Sequence, residues 1–131
     1  ELLNEEEVVV VGDKLKLQQV ISNIIDNGIK YTPEGGRVTV EVYNTPDYGV
    51  VKVSDTGYGI PANEINHIFD RFYRVDKARS RSTGGTGLGL SIANRIVMLH
   101  NGYIRVSSKE NKGTTFRIEL PYGNLEETES K

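Results

Sequence analysis

The sequence contains no cysteine, no long apolar run and no marked excess of charge of one sign. The absence of cysteine excludes disulfide bonds and thiolate metal sites. No apolar run approaches the roughly 18 residues that a membrane-spanning helix requires, and no signal peptide is visible. The formal net charge of −2 gives no reason to expect nucleic acid or an anionic membrane as a partner. We therefore expect a cytoplasmic domain that itself contacts neither.

The length of 131 residues suffices for one domain with a hydrophobic core. We assign that domain to residues 1–121. Residues 122–131 are polar and acidic, and we expect them to form a disordered tail. Because the sequence begins at Glu1 within a pattern already under way, we expect a fragment of a longer protein.

Apolar periodicity and turn residues predict the order β-α-β-β-α-α-β-β. Such an order predicts an α/β fold, a two-layer α/β sandwich in which a mixed, mostly antiparallel sheet carries about three helices on one face. The predicted elements are a strand at 8–11, a helix from an Asp13 N-cap to about 31, a hairpin at 37–43 and 50–55, a short helix at 64–72, a helix from the late glycines to about 100, and a closing hairpin at 103–108 and 114–120.

A glycine-rich stretch stands directly before an apolar helix. Gly85, Gly87 and Gly89 alternate along it, and the polar, basic residues 76–83 before it indicate a mobile loop. Glycines let the backbone approach a ligand closely, and a helix N-terminus attracts anions such as phosphate. No lysine follows as a P-loop requires, and no strand precedes as a dinucleotide fingerprint requires. The alternative is a flexible loop before a buried helix.

A polar ridge interrupts the first predicted helix. Asn23, Asn27 and Lys30 share one helix face, although asparagine is a poor residue inside a helix. The functional hypothesis is an amide oxygen of Asn27 on Mg²⁺, with Lys30 and Asn23 near phosphate. Arg71 and Arg74 are further candidates for a terminal phosphate. The alternative in each case is a solvated, charged surface.

Asp55 ends a predicted strand and opens a loop with two further glycines, Gly57 and Gly59. A carboxylate accepts hydrogen bonds from an exocyclic amine, such as that of adenine. The glycines would let the backbone curve against the base, with Ile60 as an apolar wall and the Thr114 hydroxyl beside Asp55. The alternative is simple turn chemistry, since Asp and Gly both favour turns.

Five segments, taken in order, resemble the motifs of sensor histidine kinases. They resemble the N box, the first glycine box, the F box, the second glycine box and the last glycine box. Each motif is weak by itself, but the ordered set is specific and covers nearly the whole chain before the tail. The corresponding residues are 23–33, 55–60, 68–74, 85–90 and 113–116. Gly28 departs from the family, which usually has alanine there.

The resemblance implies an ATP-binding catalytic domain of the Bergerat fold, which gyrase shares. It implies ATP and Mg²⁺ as cofactors, with the metal on Asn27, adenine on Asp55 and residues 75–86 as a flexible ATP lid. Asn27, Lys30 and Arg74 are the expected catalytic residues. The full set of expected nucleotide-binding residues is Asn23, Asn27, Lys30, Tyr31, Asp55, Gly57, Gly59, Ile60, Arg71, Arg74, Gly85, Thr86, Gly87, Leu88, Gly89, Leu90, Thr114 and Phe116.

The resemblance also implies partners. The γ-phosphoryl group would pass to a histidine on a separate dimerisation domain, with a response regulator downstream and the full-length protein anchored in the cell membrane. We interpret His67 and His100 as structural or surface residues, so the acceptor is expected outside this chain, and the isolated domain is expected to be monomeric. The alternatives are a serine kinase of the anti-sigma-factor type, against which the F box argues, and a nucleotide-sensing module without transfer activity.

Overall fold

The structure, a computed structural model, describes residues 2–5, 8–70 and 89–122. The expected lid at 75–86 and the part of the expected tail from residue 123 onwards lie outside the described residues. Six of the expected site residues lie outside them as well, namely Arg71, Arg74, Gly85, Thr86, Gly87 and Leu88.

The described elements follow the predicted order closely. They are β1 (Leu2–Glu5), α1 (Lys14–Lys30), β2 (Val38–Asn44), β3 (Tyr48–Asp55), a 3-10 helix (Ile65–His67), α2 (Gly89–Leu99), β4 (Tyr103–Lys109) and β5 (Gly113–Pro121).

One five-stranded sheet forms one layer of the molecule. Its strand order is β1-β2-β3-β5-β4. β1 runs parallel to β2, whereas the other three pairings are antiparallel. Both α-helices pack over one face of the sheet, which confirms the predicted two-layer sandwich with a mixed, mostly antiparallel sheet. Within the described residues there are two α-helices and one 3-10 helix, not three α-helices.

The core lies between the helices and the sheet and follows from the apolar spacing of the sequence. Val20 and Ile24 of α1 are fully buried, and Leu17, Ile21 and Ile25 pack at the edge of the same cluster. Spacings of three and four residues place these side chains on one helix face. The other buried members of the core are Val53, Ile60, Ile68, Ala93, Ile96, Val97, Phe116, Ile118 and Leu120.

The strand predicted at residues 8–11 does not form. β1 occupies the free edge of β2 instead, pairing Leu2 with Val40 and Glu5 with Val42. Since that edge is taken, residues 8–11 have no strand to pair with. The Val8 and Val10 side chains lie over Gly49, where a Cβ atom would overlap Val8. The branched side chains of Val8 and Val10 therefore serve packing, whereas Val9 and Val11 are exposed.

The short helix predicted at residues 64–72 is a 3-10 helix where it is described. The amide of His67 donates to the carbonyl oxygen of Glu64 at 2.9 Å, and that of Asp70 donates to His67 at 2.9 Å. Bonds to the third residue back make a tighter and shorter helix than bonds to the fourth. Among residues 64–70, the described part of this segment, only Ile68 is buried, at 3% exposure, so a single turn suffices to place it in the core.

The two α-helices are joined at one end by His100. Its Nε2 accepts from the amide of Asp13 at 3.0 Å, and its Nδ1 lies 2.8 Å from the carbonyl oxygen of Ile96. Because Nε2 accepts, the ring proton belongs on Nδ1 and is donated to Ile96. Asp13 also caps α1 as predicted, with Oδ1 accepting from the Lys16 amide at 3.0 Å. His100 therefore has a structural role.

The departure at Gly28 leads to a prediction about stability. A Cβ atom there would lie 3.5 Å from Cγ1 of Val38 and 3.8 Å from Oδ2 of Asp55, which are ordinary contacts. Because glycine costs helix entropy that alanine does not, we expect Gly28→Ala to raise the free energy of unfolding by about 0.5–1 kcal/mol. Urea denaturation monitored by circular dichroism measures this change.

Gly57→Ala is the matched control. Gly57 is also buried, but a Cβ atom there would overlap the carbonyl oxygen of Tyr31. We expect that variant to be clearly destabilised. A lower stability for Gly28→Ala than for the unmodified protein would contradict the packing described around Gly28.

Candidate functional site

Asp55 is the last residue of β3 and is half-buried. Its Oδ1 accepts from the amide of Gly57 at 2.9 Å and from the amide of Thr114 at 3.2 Å. Within the described residues, both hydrogen bonds of the Asp55 side chain are made by Oδ1. Its Oδ2 faces α1 at Gly28. The carboxylate is thus held by one oxygen, and the other remains available as an acceptor.

Two glycines let the backbone close around this carboxylate. A Cβ atom at Gly57 would overlap the carbonyl oxygen of Tyr31, and one at Gly113 would overlap the carbonyl oxygen of Asp55. Gly113 also has a φ of 127°, which a residue with a side chain rarely adopts. Both positions need glycine for contact between backbones.

The loop after Asp55 is fixed from two sides. The amide of Tyr58 donates to the carbonyl oxygen of Tyr31 at 3.1 Å. The amide of Asn111 donates to the carbonyl oxygen of Tyr58 at 2.6 Å. The amide of Ile60 donates to Oγ of Ser108 at 2.7 Å. Gly59 turns between these anchors with a φ of 72°. The end of α1 and the closing hairpin therefore shape the loop together.

The polar ridge of α1 reaches the start of α2. Nδ2 of Asn23 donates to the carbonyl oxygen of Gly89 at 3.3 Å. Asn27 is half-buried, and its side chain makes no hydrogen bond to any other residue that the structure describes. Lys30 is exposed in the last turn of α1. The ridge and the end of the glycine stretch thus meet, with the Asn27 amide free to accept a ligand.

The remaining expected site residues take different places. Tyr31 caps α1 and is half-buried. Ile60 and Phe116 belong to the core, at 8% and 1% exposure, so Phe116 supports the site from beneath. Leu90 packs against the same core. Thr114 meets Asp55 through its backbone amide, and its hydroxyl lies beside Ser108 instead, because the β5 backbone and not the side chain points at the carboxylate.

Gly113, which lies against the Asp55 backbone, and Ser108, which contacts Gly113 and Thr114, were not assigned individually by the sequence analysis. Ser108 touches the loop, Gly113 and Thr114 at once. A signal was present, since Ile104, Val106 and Ser108 alternate along β4 on the less exposed side. A serine at a core-facing strand position needs a hydrogen-bond partner, and this requirement pointed to an interaction.

The electrostatics of Asp55 follow from its position. Burial raises the pKa of its carboxyl group above the ordinary value of 3.8, while the amides of Gly57 and Thr114 act in the lowering direction. Removal from water disfavours the charged form, and hydrogen bonds to the charge favour it. The carboxylate therefore gains from a ligand that donates a hydrogen bond to its second oxygen.

The described residues contain no group of three or more His, Cys, Asp or Glu side chains that could hold a metal ion. An amide oxygen with no competing partner among the described residues, as at Asn27, fits Mg²⁺, which takes few protein ligands and keeps waters or phosphate oxygens. In the part of the chain that is described, no helix has the length and apolar character needed to cross a membrane.

Comparisons with known proteins show the family of the chain. Residues 12–124 match the family described as histidine kinase-, DNA gyrase B-, and HSP90-like ATPase. Sensor histidine kinase WalK of Bacillus subtilis (strain 168) is 47% identical over 127 residues, which cover 95% of this chain and 21% of WalK. The chain thus spans about a fifth of that relative.

Solved structures are similar over nearly the whole chain. The mycobacterial sensor histidine kinase MprB has a TM-score of 0.76 at 37% identity, covering 92% of this chain and 83% of that one. Full-length ShkA in complex with AMPPNP has a TM-score of 0.77 at 26% identity, covering 94% and 25%. The ordered motifs, the fold and these similarities lead to one conclusion: the chain belongs to the histidine kinase-, DNA gyrase B- and HSP90-like ATPase family.

Proposed function

We propose that this chain binds ATP with Mg²⁺ and supplies the catalytic half of a sensor histidine kinase. The γ-phosphoryl group goes to a histidine on a separate dimerisation domain, and a response regulator acts downstream. Residues 1–121 form the ATP-binding unit, with 75–86 as its lid, in the cytoplasmic part of a membrane-anchored protein. Support comes from the ATPase family, from the sensor kinases among its relatives, and from ShkA, which was solved with an ATP analogue.

The geometry of Asp55 is the observation that carries the proposal. One carboxylate oxygen is held by the amides of Gly57 and Thr114, and the other is left as an acceptor at the face of α1. An acceptor of this kind suits the exocyclic amine of adenine and disfavours the carbonyl oxygen that guanine has at the same place. Asp55 therefore serves base recognition.

The phosphate end of the site lies along the polar ridge. Asn23 holds the start of α2 through Gly89, which brings the glycine stretch to the ridge. Lys30 supplies an exposed positive charge in the same helix. Asn27 would hold Mg²⁺, which neutralises polyphosphate charge and orients it for transfer. Catalysis by these residues consists of positioning and charge placement, as in other phosphoryl transfers.

The direct test is phosphoryl transfer in trans. The chain is mixed with a dimeric helical hairpin that carries an acceptor histidine, and with ATP labelled at the γ-phosphate. We expect Mg²⁺-dependent labelling of that histidine. Nucleotide binding without any labelling would identify a nucleotide-sensing module instead, and labelling of a serine would identify the anti-sigma-factor type of kinase.

Asp55→Asn should weaken adenine binding and leave the fold intact. The amide oxygen can still accept from Gly57 and Thr114, but the amide nitrogen offers a donor where adenine also donates. We expect adenosine affinity to fall between about fivefold and about 100-fold, with loss of the preference over guanosine. Isothermal calorimetry with both nucleosides measures this, and unchanged base preference would reduce Asp55 to a turn residue.

The same pair of proteins tests the pH dependence. Because the ionised carboxylate accepts the hydrogen bond, adenosine affinity should fall as the pH drops through the raised pKa of Asp55. For the unliganded fold we expect the opposite sign: stability from Asp55 should be fully present below about pH 3.8 and should be lost as the pH rises through the raised pKa of the folded state. Asp55→Asn should abolish the pH dependence of adenosine affinity and should not lower the free energy of unfolding at pH 7.

Asn27→Ala separates metal-dependent chemistry from base binding. Loss of the amide oxygen should flatten the Mg²⁺ dependence of ADP affinity and reduce transfer more than affinity, since charge placement matters most in the transition state. Calorimetry with Mg²⁺ or chelator and the transfer assay measure the two effects. Ser22→Ala, on the exposed side of α1, is the control and should change neither. Transfer by Asn27→Ala at the unmodified rate would refute this role of the ridge.

A further inference from the structure

We propose that Ser108 of β4 is a positioning residue for base recognition, acting on Asp55 through Thr114 and on the Gly59–Ile60 turn directly. The inference rests on the proposed function of Asp55 and adds a residue outside the glycine-box motifs. Its side chain is half-buried and lies between the two segments that enclose the carboxylate.

Three contacts converge on the Ser108 hydroxyl. Its Oγ accepts from the amide of Ile60 at 2.7 Å, donates to the carbonyl oxygen of Gly113 at 3.0 Å, and lies 2.8 Å from Oγ1 of Thr114. Ile60 belongs to the loop after Asp55, whereas Gly113 and Thr114 begin β5. One hydroxyl thus links both sides of the site.

The donors and acceptors of these groups can be assigned without ambiguity if all three bonds are made. The carbonyl oxygen of Gly113 can only accept, so it takes the single proton of Ser108. The hydroxyl proton of Thr114 then goes to Ser108, whose oxygen also accepts from Ile60. A hydroxyl has one donor and two acceptor positions, so this arrangement uses the full capacity of Ser108.

The link to Asp55 is one residue long. The amide of Thr114 donates to Oδ1 of Asp55 at 3.2 Å, and Gly113 packs against the backbone of Asp55 so closely that no Cβ atom fits. The Ser108 hydroxyl bonds to the carbonyl oxygen of Gly113 and to the hydroxyl of Thr114. It therefore restrains the peptide unit that orients the carboxylate.

Loss of the Ser108 hydroxyl removes a hydrogen-bond partner from the Ile60 amide, the Gly113 carbonyl and the Thr114 hydroxyl at once. Ile60 is 8% exposed and Thr114 is 6% exposed, so water reaches neither freely. A buried polar group that loses its hydrogen-bond partner costs free energy unless the structure shifts to supply another. The turn at Ile60 and the start of β5 would then shift independently of each other. The direction in which Oδ2 of Asp55 points would vary, and the preference for adenine, which depends on that direction, would fall.

Ser108→Ala is the test, with Ser107→Ala as the matched control. Ser107 is the preceding residue of β4 and its side chain is exposed on the opposite side of the strand. We expect Ser108→Ala to lower adenosine affinity by about fivefold, the equivalent of one ordinary hydrogen bond, and to lower the adenosine-to-guanosine ratio by a similar factor. Affinity for inorganic tripolyphosphate, which has no base, should not change. Ser107→Ala should change none of these.

A purely structural serine would not move two further readouts. Since the Thr114 amide acts to lower the pKa of Asp55, loosening it should raise that pKa above the value in the unmodified protein. Carboxyl ¹³C NMR of the unliganded chain follows this titration. In a double-mutant cycle, the effect of Ser108→Ala on base preference should largely disappear in the Asp55→Asn background.

Each outcome bears on the proposal. An unchanged nucleoside ratio and an unchanged Asp55 titration in folded Ser108→Ala would overturn the role of Ser108 and leave the proposed function standing. Absence of adenine preference in the unmodified chain would overturn both. If Ser108→Ala does not fold, Ser108→Cys, with a similar shape and weak hydrogen bonding, carries the same measurements.

Discussion

The geometry of the candidate site depends on one half-buried carboxylate, that of Asp55, which is hydrogen-bonded at the place where three chain segments meet. Charge removed from water must be compensated by hydrogen bonds or a counter-charge. Here the compensation comes from backbone amides of Gly57 and Thr114, which belong to segments far apart in sequence. For both amides to reach one oxygen, the backbones must approach without side chains between them, and glycine at 57 and 113 allows this approach.

The antiparallel pair of α-helices sets the geometry of the other half of the site. The two helices are joined by Asp13 to His100 at the start of α1, and by Asn23 in the middle of α1 to Gly89 at the start of α2. Ile24 of α1 and Val97 of α2 belong to the apolar core that the two helices share. The polar ridge of α1 therefore has a defined position relative to the start of α2. Phosphoryl transfer that relies on positioning needs this kind of rigid support.

One face of the sheet covers the core. The end of β3 and the start of β5 carry the site residues Asp55 and Thr114. The register pairs Asp55 with Thr114 across β3 and β5, and Ser108 with Thr114 across β4 and β5. A shift by one residue would turn every side chain to the opposite face. Buried Val53, Phe116 and Ile118 oppose such a shift, since it would expose them. The hydrophobic core thus fixes the alignment on which the polar site depends.

Local sequence determined much of this protein. The apolar spacing of residues 17–25 predicts α1 and its buried face, Asp13 predicts its cap, and strand alternation with turn residues predicts both hairpins. The ordered motifs predicted the family. Tertiary structure decided the rest: residues 8–11 are no strand because β1 holds the edge of β2, and a single buried Ile68 needs only a 3-10 turn. Ser108 acquires the Ile60 amide, and Asp55 the Thr114 amide, only when segments 48 and 59 residues apart in the sequence meet. Periodicity reports which face of an element is buried, but not which atom of a distant segment lies opposite.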